Sequence, residues 1–215
     1  MVIDDFIKEL SSKASVPGGG GASGLVAAIG MSLGNMVLAL TDGKKKYAQY
    51  QEEVEATIKE ADALTKELLL CMDKDAKAFE PLSKAYGLKK DTPEEIEYRD
   101  KVMAEALLVA TNAPLDMMKL ILKAIKMIER IAVIGSRLAL SDAGVGIAMC
   151  KAAMEGASLN VFINTKLMKD RELAKSLDDK AEGYLKEARE IADMYVAEGE
   201  FSEEWTSTER IWNDK

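Results

Sequence analysis

Apolar residues recur at steps of three or four along most of the chain, which is the period of an α-helix. We predict helices over seven segments: Val2–Lys13, Ala22–Thr41, Tyr47–Tyr86, Thr92–Thr111, Leu115–Ile134, Ala143–Met168 and Arg171–Glu198. No segment shows the strict alternation of a half-buried strand. The pattern therefore predicts an all-α fold, a multihelical array in one domain over residues 1–215.

Glycine and proline mark the predicted ends of these helices. The run from Ser15 to Gly21 holds one proline and four glycines, so we expect it to lie outside regular structure, with a helix starting directly after it. Pro114 is expected to separate two helices. Thr92 followed by Pro93 and two glutamates has the composition of a capped helix start.

Two predicted helices, Ala22–Thr41 and Ala143–Met168, are rich in glycine, alanine and serine. The first has no charged residue in its 20 positions, which is long enough to span a bilayer. Its small and mildly polar composition instead favours a central helix buried in the protein. Because small residues allow close helix contacts in a core or between subunits, we also expect a homodimer.

Composition and net charge disfavour several classes of function. The net charge of -8 disfavours nucleic acid as a partner, and the acidic start of the chain lacks the basic region of an export signal. We therefore expect a cytoplasmic protein with no membrane partner. Two distant cysteines and no histidine disfavour a disulfide framework or a metal site. Proton transfer would then fall to Asp, Glu, Lys or Tyr.

The glycine run is the first candidate for a binding site. It contains a GxGxxG spacing, but no strand precedes it, so a dinucleotide site is not expected. Free N–H groups at a helix N-terminus suit an anion, a carboxylate or the polar edge of a heterocycle. The alternative is a tight turn that lets two helices cross. The candidate residues are Pro17, Gly18, Gly19 and Gly20.

Lysines and carboxylates supply further candidates. Lys44, Lys45 and Lys46 precede a helix, where positive charge is unfavourable unless it meets an anionic ligand. A solvated helix start is the alternative explanation. Asp73 and Asp75 point to different helical faces, and we expect Asp75 to face inward.

Two more pairs of polar residues, in the C-terminal half of the chain, are candidates for a site. Ser141 and Asp142 form either a helix cap or a carboxylate at the mouth of a site. Asn160 and Asn164 are four residues apart on a helix poor in polar groups. Buried amides need partners, so these two predict hydrogen bonds to a ligand or to another helix.

Together, these motifs resemble the cyclodeaminase/cyclohydrolase family. They follow one another in the family's order: Pro17-Gly18-Gly19-Gly20, Leu40-Thr41 with Gly43-Lys44-Lys45-Lys46-Tyr47, Asp75-Ala76-x-Ala78-Phe79, Ser141-Asp142-Ala143-Gly144-Val145-Gly146 and Asn160-Val161-x-Ile163-Asn164. The resemblance implies a multihelical, usually dimeric domain that binds tetrahydrofolate derivatives and needs no metal. Two features depart from it: Gly135 is followed by Ser136-Arg137-Leu138 instead of Asn-x-Asn, and Leu88-Lys89 lacks an intervening proline.

The resemblance implies one of two reactions. A cyclohydrolase adds water to 5,10-methenyltetrahydrofolate, and a cyclodeaminase closes 5-formiminotetrahydrofolate with release of ammonia. We expect the cyclohydrolase first, the cyclodeaminase second, and a non-catalytic folate-binding or helical interaction protein as a third possibility. Asp142 or Asp75 would be the acid/base, the glycine run would hold the pterin or the reacting carbon, and the three lysines would hold the glutamate tail. Ser141, Asn160 and Asn164 complete the predicted substrate site. No cofactor is expected beyond the folate itself.

Overall fold

A computed structural model describes residues 3–197 of the chain. It contains six α-helices: α1 (Ile3–Leu10), α2 (Gly19–Ala39), α3 (Gln51–Tyr86), α4 (Pro93–Ile134), α5 (Leu140–Leu167) and α6 (Arg171–Ala197). Two short 3₁₀ helices, Lys45–Tyr50 and Arg137–Ala139, precede α3 and α5. Within the described residues there is no strand, so the predicted all-α class is confirmed.

Helix α2 lies at the centre of the array, packed against α3, α4 and α5. Its closest approach is to α5, where a Cβ on Gly30 would lie 2.8 Å from the carbonyl oxygen of Gly146. Glycine at both positions therefore lets the two backbones touch. Helix α2 is also the one described helix long and apolar enough to pass as a membrane span, and half of that stretch is buried inside the protein. The predicted central helix of small residues is thus confirmed.

The prediction for the glycine run is confirmed for Ser15–Gly18, which lie outside regular structure, and wrong for Gly19–Gly21, which form the first turn of α2. Helix α2 begins at Gly19, and Ala22 N–H donates its first backbone hydrogen bond to Gly18 O at 3.0 Å. Glycine is a poor helix former, but at Gly20 the Asp75 carboxylate leaves no room for a side chain, and the space at Gly21 is tight. A Cβ at Gly21 would lie 3.3 Å from Pro17 Cβ. Tertiary packing therefore overrides the local preference.

The predicted break at Pro114 is also wrong, because α4 runs unbroken from Pro93 to Ile134. A proline inside a helix removes the hydrogen bond to the carbonyl four residues earlier, which here belongs to Ala110. That carbonyl accepts a hydrogen bond from Asn164 Nδ2 of α5 at 3.0 Å instead. The side chain of another helix thus replaces the missing backbone donor.

The predicted start of α4 is confirmed. Thr92 Oγ1 accepts from Glu95 N–H at 3.2 Å, and the Glu95 carboxylate accepts from Thr92 N–H at 3.3 Å. This reciprocal pair is a capping box. Further along, α4 supplies more of the largest fully buried side chains than any other described helix: Leu107, Met117, Met118, Ile121, Ile125, Ile128 and Ile131.

Candidate functional site

Asp75 of α3 lies against the N-terminus of α2. A Cβ built on Gly20 would lie 2.3 Å from Asp75 Oδ1 and 2.4 Å from Oδ2, so only glycine fits there. The carboxylate accepts a hydrogen bond from Gly21 N–H. That N–H is one of the first in the helix and has no intrahelical partner. Asp75 is half-buried while Asp73 is exposed, as the helical spacing predicted.

Burial raises the pKa of the Asp75 carboxyl above its ordinary value, and the Gly21 hydrogen bond offsets part of this effect. Desolvation disfavours the charged form of a carboxyl, whereas an N–H donor favours it. A carboxyl with a raised pKa exchanges protons closer to neutral pH than an exposed one. Such a group suits general acid/base chemistry.

Asn160 of α5 lies on the other side of the same glycines. A Cβ on Gly19 would be 3.7 Å from Asn160 Nδ2, which itself donates to Gly156 O at 3.0 Å. The Asn160 carbonyl oxygen lies near Gly19 as well. The structure therefore brings the predicted glycines, Asp75 and Asn160 together, and we call this group (Gly18–Gly21, Asp75 and Asn160) the glycine end.

Sequence reasoning missed two residues that support this arrangement. Ser23 Oγ donates to Gly19 O at 2.9 Å and fixes the first turn of α2. A Cβ on Gly156 would lie 2.5 Å from the same hydroxyl, so the glycine leaves room for Ser23. Their small size was visible in the sequence, but their partnership depends on how α2 and α5 pack.

A cleft of about 440 Å³ opens beside the glycine end. Its walls are Ser15 and Val16, just before the glycine run, and α3 residues from Ala76 to Lys84. The half-buried Phe79 ring and the exposed Lys77 both line the cleft. The ion pair between Glu80 and Lys84 lines it as well. A half-buried aromatic ring near an exposed lysine suits a ligand that has a planar ring and an anionic group.

Lys44, Lys45 and Lys46 lie at the opposite end of α2, exposed around the start of the first 3₁₀ helix. This segment is tied to the turn after α4 by two hydrogen bonds. Ser136 N–H donates to Thr41 Oγ1 at 2.7 Å, and Arg137 N–H donates to Tyr47 Oη at 3.0 Å. The lysines therefore lie near Arg137, in a locally basic region of an acidic protein.

Ser141 and Asp142 also lie at this end, in the first turn of α5. The cap interpretation is wrong, because α5 begins at Leu140 and Ala139 occupies the cap position. Both side chains are half-buried. An acid in the first turn is favoured by the helix dipole, which gives Asp142 a structural role whatever else it does. We call this group (Lys44–Lys46, Arg137, Ser141 and Asp142) the lysine end.

The glycine end and the lysine end are far apart. Asp142 and Asn160 both lie on α5, and 18 residues of α-helix span roughly 27 Å. Within one chain, Asp75 and Asp142 therefore cannot act on the same atom. The Asn164 amide nitrogen is taken by Ala110 O, the interhelical role foreseen for it, while its predicted contact with substrate stays a prediction.

No group of three or more His, Cys, Asp or Glu side chains within residues 3–197 is placed to hold a metal ion. The two carboxyl groups predicted as acid/base candidates, Asp75 and Asp142, lie at opposite ends of α2.

Comparison with known proteins identifies the family. Residues 2–183 match the family model described as formiminotransferase-cyclodeaminase. A methenyltetrahydrofolate cyclohydrolase from Methylorubrum extorquens is 37% identical over 186 residues, which cover 86% of this chain and 89% of the relative. The formimidoyltransferase-cyclodeaminase of Sus scrofa is 29% identical over 191 residues, but these cover only 35% of that longer protein.

A solved structure shares the fold. The formiminotetrahydrofolate cyclodeaminase of Thermotoga maritima superposes with a TM-score of 0.74 at 24% identity, covering 91% of this chain and 98% of that one. The order of motifs that suggested the resemblance is thus matched by a family model over most of the chain. The chain belongs to the formiminotransferase-cyclodeaminase family.

Proposed function

We propose that the chain is a 5,10-methenyltetrahydrofolate cyclohydrolase, which hydrolyses the one-carbon bridge to give 10-formyltetrahydrofolate. The observation that carries the proposal is the half-buried Asp75 carboxyl, held against the glycine turn at the start of α2. The relative from Methylorubrum extorquens, similar over 86% of the chain, is named for the same reaction.

The reacting carbon lies between N5 and N10 of the folate and carries part of a positive charge. Asp75 stabilises that cation and accepts a proton from the attacking water as its oxygen bonds to the carbon. The C–N5 bond then breaks, its electron pair stays on N5, and N5 takes a proton from Asp75. The new hydroxyl loses its proton as the formyl C=O forms. One proton is released overall, which balances the loss of the cationic substrate.

We place the folate substrate in the cleft beside the glycine end. Its volume of about 440 Å³ lies within the range of small-ligand pockets. The planar part of the folate stacks near Phe79, and the glycine turn of α2 offers backbone N–H groups to its polar edge. In this proposal the enzyme needs no cofactor beyond its tetrahydrofolate substrate and acts in the cytoplasm as a homodimer, without nucleic acid or membrane as a partner.

The test is to mix the protein with 5,10-methenyltetrahydrofolate and follow the loss of its absorbance above the spontaneous rate. Asp75→Asn is the matched control, because asparagine keeps the shape and can still accept from Gly21 N–H. A rate equal to the spontaneous one would refute the cyclohydrolase assignment.

The second candidate is a cyclodeaminase, because the Thermotoga maritima structure and the Sus scrofa relative carry that activity in their names. Supplying 5-formiminotetrahydrofolate and measuring ammonia separates the two reactions. Folate binding without turnover of either compound would instead indicate a non-catalytic binding protein.

A further inference from the structure

Helix α6 ends close to the lysine end. It runs antiparallel to α5, as two ion pairs one helical turn apart show: Arg189 with Glu155 and Asp193 with Lys151. One further turn puts the last residue of α6, Ala197, level with Ile147 of α5. From there the first turn of α5, which holds Asp142, lies roughly 8 Å further along the helix axis.

A contact between α6 and α4 gives the same position. Tyr195 Oη donates to Glu129 O at 3.4 Å, close to the end of α6. Past Glu129, α4 continues to Ile134, and the chain then turns into Arg137 of the lysine end. The chain that follows α6 therefore starts beside the lysine end.

The residues that follow α6 are strongly acidic. Residues 198–215 lie outside the described part of the chain and contain six carboxylates and two cations. Four of the carboxylates come directly after α6: Glu198, Glu200, Glu203 and Glu204. The segment also holds four large apolar side chains, among them both tryptophans of the protein: Phe201, Trp205, Ile211 and Trp212. A basic surface with apolar side chains beside it complements such a segment.

The lysine end has both of these properties. Glu53, in the first turn of α3, does not neutralise it, because Arg130 already donates two hydrogen bonds of 2.6 and 2.7 Å to that carboxylate. Val133, one turn past Glu129, and Leu138, next to Arg137, are each about half exposed. The four cations of the lysine end are all exposed: Lys44, Lys45, Lys46 and Arg137.

A cleft of about 780 Å³ between α5 and α6 is a second surface near the segment. Its two cations, Lys186 and Arg189, are already in ion pairs with Glu190 and Glu155. Four carboxylates line the same cleft: Glu155, Glu182, Glu190 and Asp193. An acidic segment is repelled there, so charge favours the lysine end.

We infer that residues 198–215 dock on the lysine end of their own chain. The carboxylates of residues 198–204 face Lys44, Lys45 and Lys46, and aromatic side chains of the segment cover Val133 and Leu138. These seven residues reach about 23 Å when extended, which exceeds the roughly 8 Å from the end of α6 to the first turn of α5. Because the segment is tethered, its effective concentration is high, and weak surface ion pairs suffice to populate the docked state.

The docked segment competes with any anionic ligand of the same lysines. This consequence rests on the proposed function, in which the three lysines hold the glutamate tail of folate. The apparent Kd for a polyglutamated folate then rises as the docked state becomes more populated, because only undocked chains are competent to bind the tail.

The fluorescence of Trp205 tests the docking without relying on folate. In the full-length Trp212→Phe protein, Trp205 is the one remaining tryptophan. At low salt its emission should lie toward the blue and resist quenching by acrylamide. High salt, or replacement of Lys44, Lys45 and Lys46 together by alanine, should shift the emission to the red and speed the quenching.

The matched control removes the same charge from exposed lysines elsewhere on α3, α4 and their connection, and should leave the emission blue. These are Lys66, Lys90 and Lys101. Emission of Trp205 that is the same in the control and in the variant of the lysine end would overturn the docking.

A disulfide distinguishes docking on the same chain from docking on another chain. Glu200→Cys and Lys45→Cys are combined in one protein, whose native Cys71 and Cys150 are buried. Mild oxidation should give an internal disulfide. Glu200→Cys combined with Lys101→Cys should give none, because Lys101 lies 28 residues before Glu129 on α4, or roughly 42 Å. A disulfide-linked dimer as the main product of the first pair would overturn docking on the same chain.

The competition is tested in the full chain with Glu198, Glu200, Glu203 and Glu204 replaced by glutamine. The Kd for a polyglutamated folate should fall about three- to ten-fold, and the Kd for the monoglutamate should change less. An unchanged Kd in a variant whose Trp205 emission has moved to the red would refute the competition. If the wild type binds no folate, the proposed function fails, while the emission of Trp205 still decides the docking.

Discussion

Gly20→Ala is the sharpest probe of Asp75 that the structure offers. The added Cβ would lie 2.3 to 2.4 Å from the carboxyl atoms of Asp75, whereas ordinary contacts start at 3.4 Å. The carboxylate must therefore retreat by roughly 1 Å, a misplacement that lowers an enzyme's rate about 10²-fold. This loss corresponds to about 2.7 kcal/mol of transition-state stabilisation. We expect it mainly in kcat, measured as the initial rate with 5,10-methenyltetrahydrofolate.

The control is Gly183→Ala, which makes the same substitution on α6, where a Cβ meets nothing within 4 Å. Alanine in a helix interior gains up to about 1 kcal/mol over glycine, so this variant should be slightly more stable and fully active. For Gly20→Ala, circular dichroism and a thermal melt establish that the fold is retained. If the folded Gly20→Ala protein matches the turnover of Gly183→Ala, Asp75 does not act on the substrate.

Three further predictions follow from the two ends of the site and from the start of α4. Asp75→Asn should lower turnover by about 10² to 10⁴. Since burial raises the pKa of Asp75, its charge destabilises the fold at neutral pH, so a melt of this variant at pH 7 should show an equal or higher Tm. That gain should vanish as the pH falls through the raised pKa, where the wild-type carboxyl is protonated; a lower Tm at pH 7 would contradict the burial argument. Replacing Lys44, Lys45 and Lys46 together by alanine should weaken binding of polyglutamated folate about ten-fold, at about 0.2 to 1 kcal/mol per exposed contact. Fluorescence titrations at low and high salt measure the Kd for this folate. An unchanged Kd would refute the prediction that the three lysines bind the glutamate tail. Thr92→Ala should lower the free energy of unfolding in urea by about 1 kcal/mol with unaltered turnover, because it removes only a helix cap.

The ends of the helices could be predicted from the sequence where residues within one turn determine them. Thr92 and Pro93 marked the start of α4 because a cap and a first-turn proline act within one turn. The pattern failed at Pro114 and at the glycine run, because the groups that satisfy the backbone there lie on other helices. Sequence spacing shows neither the hydrogen bond from the Asn164 amide to Ala110 O nor the one from Gly21 N–H to the Asp75 carboxylate.

The candidate site was predictable as a set of residues but not as a geometry. The sequence pointed to the glycines, Asp75 and Asn160, and the structure brings them together at one end of α2. It also pointed to Asp142 as an alternative acid/base, without showing that the length of α5 separates that residue from the glycines. The rise per residue fixes how far Asp142 lies from Asn160 along α5, but only the packing of α2 on α5 shows that Asn160 lies beside the glycines.

Asn164 and Pro114 form a pair whose members depend on each other, although they are 50 positions apart in the sequence. The amide of Asn164 is needed at Ala110 only because Pro114 offers no N–H there. With an ordinary residue at 114, the helix would satisfy its own carbonyl, and leucine at 164 would become tolerable. The same leucine beside the native proline would leave that carbonyl buried without a donor. The two positions are therefore expected to show strong epistasis and to vary together as the family diverges.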